Sequence, residues 1–508
     1  MTTYYFRTDG TAANLAASIG PPSDSTACGD KTLLEGSTFS AGDIINISSL
    51  GGSFTSVTLL GANISGSSGD PVVIVGDSTY NTTAADEEIL ELDGSVSAVN
   101  YVTLRDFWAE STFTTSVSEP VYKFTGAVGN LAFDSVNVND CRARNEGGPG
   151  FSQQSAGIGT VNYSNCLAFE CGLGRALTDN IAGFTALGSQ TANITSSDST
   201  NCVQGVSAQG TSTVNYNSGT ITSTGFNFRT YGTGTINFQA GVTINQSDSG
   251  ARAFEVISGS TVNMYGSTFN VTDHSSTQAN TAGDFNVYGG TWTINNGNSQ
   301  FAAITTGTLS LDGVNIVAIN YGFNCFKTPN DAHSSVKIKR CNIDLSGLNT
   351  TFPFVTMSGG STFEVDANIF TEIAGVSASD IIGVTTGATT TNMHVRHNTV
   401  YNSSSGGQFM DDDAGIDLSS NIFVNVLNVD GGAVGPTVAY NCYFNSENLG
   451  GTGSITSDPL FVTDGSNFRL QDLSPAIGGG QSGPTVTTDY AGNAYRANPA
   501  MGAYEYYG

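Results

Sequence analysis

Asp312, Lys339, Asp366 and Arg396 form one series in the second half of the chain. Lys337, Glu364 and His394 stand two residues before the last three, and Asp417 follows. These residue types equip two chemistries. Paired carboxylates serve glycoside hydrolysis, one as general acid and one as general base. A lysine or arginine beside a cation held by Glu364 and Asp366 suits proton abstraction from a uronate. The same residues alternate in sign along the chain, so a ladder of surface salt bridges, each worth little, explains them without chemistry. That plainer reading is preferred.

A second series is uncharged. Asparagine recurs at Asn137, Asn162, Asn193, Asn215, Asn237, Asn263 and Asn286, always between apolar neighbours. Two residues later come Asn139, Ser164, Thr195, Asn217, Gln239, Tyr265 and Tyr288. Amides beside tyrosine rings suit carbohydrate, whose hydroxyls need hydrogen-bond partners and whose CH faces pack on aromatic rings. Asn237, Asn263, Tyr265, Asn286 and Tyr288 are therefore the candidate carbohydrate-binding residues. A face packed against a sister chain in a trimer, or a plainly solvated face, fits the same residues. A third cluster, Asp411, Asp412 and Asp413, offers oxygen ligands for Ca²⁺ in a turn before Ile416. It lacks EF-hand spacing, and a solvated acidic turn is the preferred reading. No cofactor is required by any of these patterns, and Ca²⁺ is the one cation they suggest.

Both series belong to one repeat. Aligned on the recurrent position, Asn286 is followed by Ser310, Lys337, Glu364, His394 and Asp417, with 22 to 31 residues between successive members of the whole column. Each unit carries an apolar-x-apolar strand, as in Val262 and Met264, Phe285 and Val287, Leu309 and Leu311, or Val336 and Ile338. That variable period with one short strand per unit signals a solenoid, and these side chains point inward. Asn368, Asn398, Asn421 and Gly290 follow the strands where a left-handed backbone turns the chain into the next strand. Helical stripes are scarce and the period is too short for a propeller blade, so the expected fold is all-β, a parallel β-helix. Stacking equivalent residues ~4.8 Å apart makes asparagine tolerable where a repeated charge would repel itself. Asp312 and Asp366, two coils apart, then lie about 9 to 10 Å from each other, near the upper limit for an inverting carboxylate pair.

Composition agrees. The 508 residues carry 12% charged side chains, about half the usual share, with 63 glycines. A net charge of −27 with only 16 Lys and Arg argues against nucleic acid or anionic membrane as a partner. No stretch approaches a membrane span, so no membrane insertion is expected, and the start MTTYYFRTDG lacks the parts of a signal peptide. Eight cysteines without metal-ligand spacing read mainly as buried thiols, with Cys141 and Cys166 at one repeat position as the possible staple.

The two ends carry a resemblance. YYFRTDGTAAN, AGDIINISS and SGSSGDPVVIVGD resemble the opening of the right-handed parallel β-helix superfamily that includes pectate-lyase-like proteins. Toward the end, Asp458, Pro459, Leu460, Phe461, Phe468, Leu470, Ser474, Pro475, Ala476, Gly492, Gly502, Ala503, Tyr504 and Glu505 match the terminal segment of many bacterial and phage β-helix proteins. Gly478 departs from the acidic residue usual there. The resemblance implies one right-handed solenoid with residues 1–100 as N-terminal cap and first coils, 101–445 as the β-helix and 446–508 as the C-terminal cap. Its lyases use basic residues and Ca²⁺, which is what would make Lys339 or Arg396 a base, although no catalytic motif matches residue by residue. The opening segment is most similar to phage tail-spike and virion-surface proteins. The expected function is thus recognition of host polysaccharide on a virion surface, with other virion proteins and a homotrimer as implied partners. A secreted, extracellular polysaccharide lyase or glycosidase, and a non-catalytic structural decoration protein, are the alternatives.

Overall fold

The computed structural model describes residues 2–7, 10, 31–48, 57–76, 79–82, 90–111, 120–126, 131–154, 157–173, 181–246, 254–257, 259–272, 279–296, 302–304, 306–321, 326–327, 334–346, 353–357, 362–373, 380–384, 393–412, 415–432, 436–482 and 486–508. Packing divides the chain into two compact units, Met1–Gln246 with Gly259–Val262, and Ser247–Ser258 with Asn263–Gly508. The boundaries expected at residues 100 and 445 fall inside the first and second of these.

Parallel pairing between successive repeats builds each unit. In the first, Thr3–Arg7, Ile44–Ser48, Val72–Gly76, Val102–Arg105, Leu131–Asn139, Ile158–Ser164, Ser189–Thr195, Thr213–Gly232 and Thr235–Gln246 follow one another in a single ladder. In the second, the same ladder type runs Asp284–Tyr288, Thr308–Asp312, Ser335–Lys339, Thr362–Asp366, Met393–Arg396, Asp417–Ser419 and Thr437–Ala439. Two further parallel ladders complete its coils, one through Thr291–Asn296, Asn315–Tyr321 and Asn342–Asp344, the other through Phe326–Lys327, Val355–Met357 and Asp380–Val384. The architecture is the right-handed parallel β-helix anticipated from the repeat and the end segments.

Period-2 alternation fixes the register, because a slip of one residue would turn every apolar side chain outward. Val262, Met264, Phe285, Val287, Leu309 and Leu311 are all fully buried, as the pattern requires. Equivalent aromatics stack on one another: Tyr122, Phe151 and Phe184 lie nearly parallel with ring centres 4.8 and 5.0 Å apart. Cys141 and Cys166 are buried free thiols, and burial pushes Cys166 up to about 12.

The sharp bends correct one expectation. The left-handed position is taken by Ala367, His397, Ser420 and Tyr440, whose φ values are 57°, 53°, 61° and 55°, and not by the asparagines that follow them. Asn368, Asn398, Asn421 and Asn441 instead form a buried ladder, each side-chain Nδ2 donating to the next Oδ1 at 3.0, 3.0 and 3.1 Å. Those same Oδ1 atoms accept from the backbone N–H of Asn368, Asn398 and Asn421. Gly290 does behave as expected: its φ is +88°, and an added Cβ would come within 2.2 Å of the Ser267 carbonyl.

After residue 446 the chain adds isolated parallel bridges, Thr452 to Ala439 and Ile455 to Cys442. It then turns back along the flank of the second unit. Gly502 N–H donates to the Ser420 carbonyl at 2.7 Å, Gln481 N–H to Ser420 Oγ at 2.9 Å and Ala503 N–H to Thr399 Oγ1 at 3.0 Å. Phe461, Phe468, Ala476, Met501 and Ala503 bury themselves against Ile369, Ile422 and Val424.

Candidate functional site

The ladder of the second unit places two outward columns side by side. Tyr288, Asp312, Lys339, Asp366 and Arg396 are direct cross-strand neighbours, and so are Asn286, Ser310, Lys337, Glu364, His394 and Asp417. Tyr265 precedes Tyr288, their rings 5.3 Å apart and tilted by 11°, each about two-fifths exposed. The two sets of residues singled out separately in the sequence are therefore one strip. From Tyr288 to Asp366 it spans three coils, about 14 Å.

Much of the charge is paired as the salt-bridge reading requires. Lys339 Nζ lies 2.5 Å from Glu364 and 3.9 Å from Asp366, and Lys337 lies 3.3 Å from Glu364. Burial raises the Glu364 carboxyl, but hydrogen bonding and attraction from Lys339, then Lys337, outweigh it and the net shift is downward. Arg396 grips Asp417 through Nε at 2.9 Å and Nη2 at 2.5 Å while its Nη2 also meets His394 Nδ1 at 2.8 Å. Burial, then the Arg396 charge, lowers the His394 pKa.

Asp312 departs from the expected alternation. Its fork partner is Arg340, at 2.7 and 2.5 Å, a residue the strand pattern passed over. Arg340 follows the strand in the left-handed conformation, φ 53°, and that turn brings its side chain back over the preceding coil. Asp312 is thus locked in a bidentate ion pair, which disfavours it as a free acid or base.

Asp366 is the exception in the ladder. It is 6% exposed, and its Oδ1 has no hydrogen-bond partner among the described residues. Burial pushes its carboxyl up to about 7; Lys339 and Arg396 pull the other way, Glu364 and Asp417 add to the rise. It lines a cavity of about 210 Å³ with Asp312, Lys339 and Arg340. The far wall is Val486, Thr487 and Thr488 of the terminal segment, more than a hundred residues away in sequence. A carboxyl that holds its proton near neutrality can donate a hydrogen bond or a proton, and no other member of the strip is so placed.

The asparagine series is satisfied by its own members. In the first unit Asn162, Asn193, Asn215 and Asn237 each donate to the preceding Oδ1, at 3.2, 2.8, 2.9 and 2.9 Å. In the second, Asn286 donates to Asn263 at 3.1 Å. Each rung uses one N–H and one lone pair, half of an amide's hydrogen-bonding capacity, and the open tyrosine faces stand beside it. Asp411 and Asp412 lie at the end of the strand Thr399–Asp412, paired with Gly383 and Val384, rather than in a turn. Asp413 lies outside the described residues, and no group of three His, Cys, Asp or Glu among those described is arranged to hold a metal ion.

No family model matches the chain, and no curated protein matches it. Among solved structures it is similar to the A-module of the Azotobacter vinelandii mannuronan C-5 epimerase AlgE6, at 10% identity over 82% of this chain and 92% of that one, with a TM-score of 0.31. It is also similar to pectate lyase Pel9A, at 12% identity over 99% of this chain and 96% of that one, with a TM-score of 0.19. At such scores the likeness carries no inference about activity.

Proposed function

We propose that this chain recognises polysaccharide along the strip from Tyr265 and Tyr288 through Asp312 to Lys339 and Asp366. The observation that carries the reading is the stacked, half-open tyrosine pair standing in the same outward column as the polar cavity. Flat rings next to a row of charged and amide groups fit a chain of sugar rings laid across the coils, each ring offering a CH face and hydroxyls. A virion-surface, tail-spike-like setting, with a homotrimer and other virion proteins as partners, is supported by the opening segment's resemblance alone.

Calorimetric titration with neutral and anionic polysaccharides tests the binding. Tyr265→Ala with Tyr288→Ala should weaken it about tenfold or more, since each aromatic contact is worth ~0.5–1.5 kcal/mol. Unchanged affinity in that double variant sinks the strip as the binding surface, and no polysaccharide bound at all leaves a decoration protein. The mass in solution checks the trimer.

Asp366 favours a second reading, a polysaccharide lyase or glycosidase, because a buried carboxyl that keeps its proton is equipped for general acid work. New 235 nm absorbance or new reducing ends, abolished in Asp366→Ala, would promote this reading above the first.

A further inference from the structure

The terminal segment carries a second concavity, of about 960 Å³, to which the charged strip contributes no residue. The antiparallel pair Phe461–Thr463 and Asn467–Leu470 forms one side, and Tyr504, Tyr506 and Tyr507 form the other. Large apolar groups stand open here: Leu473 is 88% exposed, Tyr507 51% and Val462 49%. These open apolar side chains rim one concavity, the shape in which small ligands are held.

The groove is net negative, its lining carrying the carboxylates Asp472, Asp489 and Glu505 against the single cation Arg469. Two of its carboxylates are committed to the backbone: Asp489 accepts from the N–H groups of Asn493 and Glu505 at 2.7 and 3.1 Å, and Glu505 accepts from Arg496, Ala500 and Tyr506 at 3.2, 3.1 and 2.8 Å. The other two charged residues, Arg469 and Asp472, stand beside the rings. Arg469 lies over the Tyr504 ring at 5.5 Å, and Asp472 accepts the Tyr506 hydroxyl at 2.7 Å. Asp472 keeps a second oxygen, and the Arg469 guanidinium makes no ion pair among the described residues, so both acceptor and donor capacity face the groove beside the rings. Apolar planes edged by a few polar groups, with carboxylates in excess, repel an anionic sugar and fit an uncharged one.

We infer that this groove is a second glycan site, taking uncharged sugar rings through Tyr507, Tyr506 and Leu473 with Arg469 and Asp472 on their hydroxyls. It extends the polysaccharide reading to a place independent of the strip. Two sites on one chain raise avidity for a long polymer wherever its length lets both engage.

The test uses the full chain carrying Tyr265→Ala and Tyr288→Ala, titrated calorimetrically with hexasaccharides of neutral glucan, mannan and galactan. One site per chain should remain for at least one of them, its affinity unchanged between 0.05 and 0.5 M salt. Adding Tyr507→Ala or Leu473→Lys should lower that affinity about tenfold, and Leu473→Lys should do so at an unchanged melting temperature because Leu473 is exposed, whereas Tyr507 also donates to the Ala494 carbonyl and lies under Arg496. No residual binding, or binding indifferent to both groove variants, overturns the inference. So does self-association that Leu473→Lys abolishes without any sugar effect, which would make the groove a protein contact. The two claims separate cleanly: loss of binding on the strip variants alone supports the strip and refutes the groove, and loss on the groove variants alone does the reverse.

Discussion

Asp366 and His397 are buried in the second unit with opposite protonation costs. His397 is 2% exposed and packs on the Tyr495 ring at 4.3 Å; burial drives its pKa down to about 3, and Arg396 lowers it further against a hydrogen bond with Ala500. Asp366, facing Lys339, Glu364, Arg396 and Asp417, is driven up to about 7. The raised carboxyl contributes stability that is complete below its unfolded value of 3.8 and lost as pH rises through about 7. The depressed imidazole contributes stability that is complete above 6.5 and lost as pH falls toward about 3. Between pH 4 and 6.5 the two slopes oppose each other. Asp366→Asn should therefore expose the histidine slope, with stability falling as pH drops below 6.5, and should stabilise the chain at pH 8 by up to about 4 kcal/mol. His397→Phe should expose the opposite slope. Urea melts of the three proteins at pH 4, 5.5, 7 and 8 decide it, and three parallel profiles would refute both assignments.

At the scale of the element, the asparagine ladders do two different things. The outer one relieves like-charge stacking, so replacing Asn193, Asn215 and Asn237 together by Asp should lower the melting temperature, more at 10 mM than at 500 mM salt. Equal melting at low salt would count against that role. The buried ladder feeds backbone donors, and Asn398→Ala strands the backbone N–H of Asn368 and one of its two amide N–H groups, the other staying on the Ile338 carbonyl, a cost of about 2 to 4 kcal/mol readable in a denaturant melt. Strands and outer ladder were legible in the sequence because their cause is local: period-2 burial and a repeated neighbour one coil away. The bends were half legible. Asparagine's tolerance of left-handed backbone pointed to Asn368 and Asn398, but stacking of amides inside the turn holds them there and passes the strain to Ala367 and His397. Asp312 was matched to Lys339 by sign, whereas the turn after the strand delivers Arg340 to it.

Across the whole molecule, what the sequence concealed is long-range docking. Val486, Thr487 and Thr488 wall the Asp366 cavity, and Gly502 binds the Ser420 carbonyl, through contacts that leave no periodic trace. Without that wall Asp366 reads as one more rung of an exposed ladder, which is how alternation of sign presented it. The continuity of the tyrosine pair with the charged column follows from the repeat alone, since Tyr288 and Asp312 sit at the same repeat position. The central claim is that this column is where polysaccharide lies. Hydrogen exchange measured by mass spectrometry, with and without a polysaccharide that the chain retains, tests it most directly. New protection should concentrate in Asp284–Tyr288, Thr308–Asp312 and Ser335–Lys339 and should be lost in Tyr265→Ala with Tyr288→Ala. Protection confined to the first unit, or unchanged in the double variant, would contradict it.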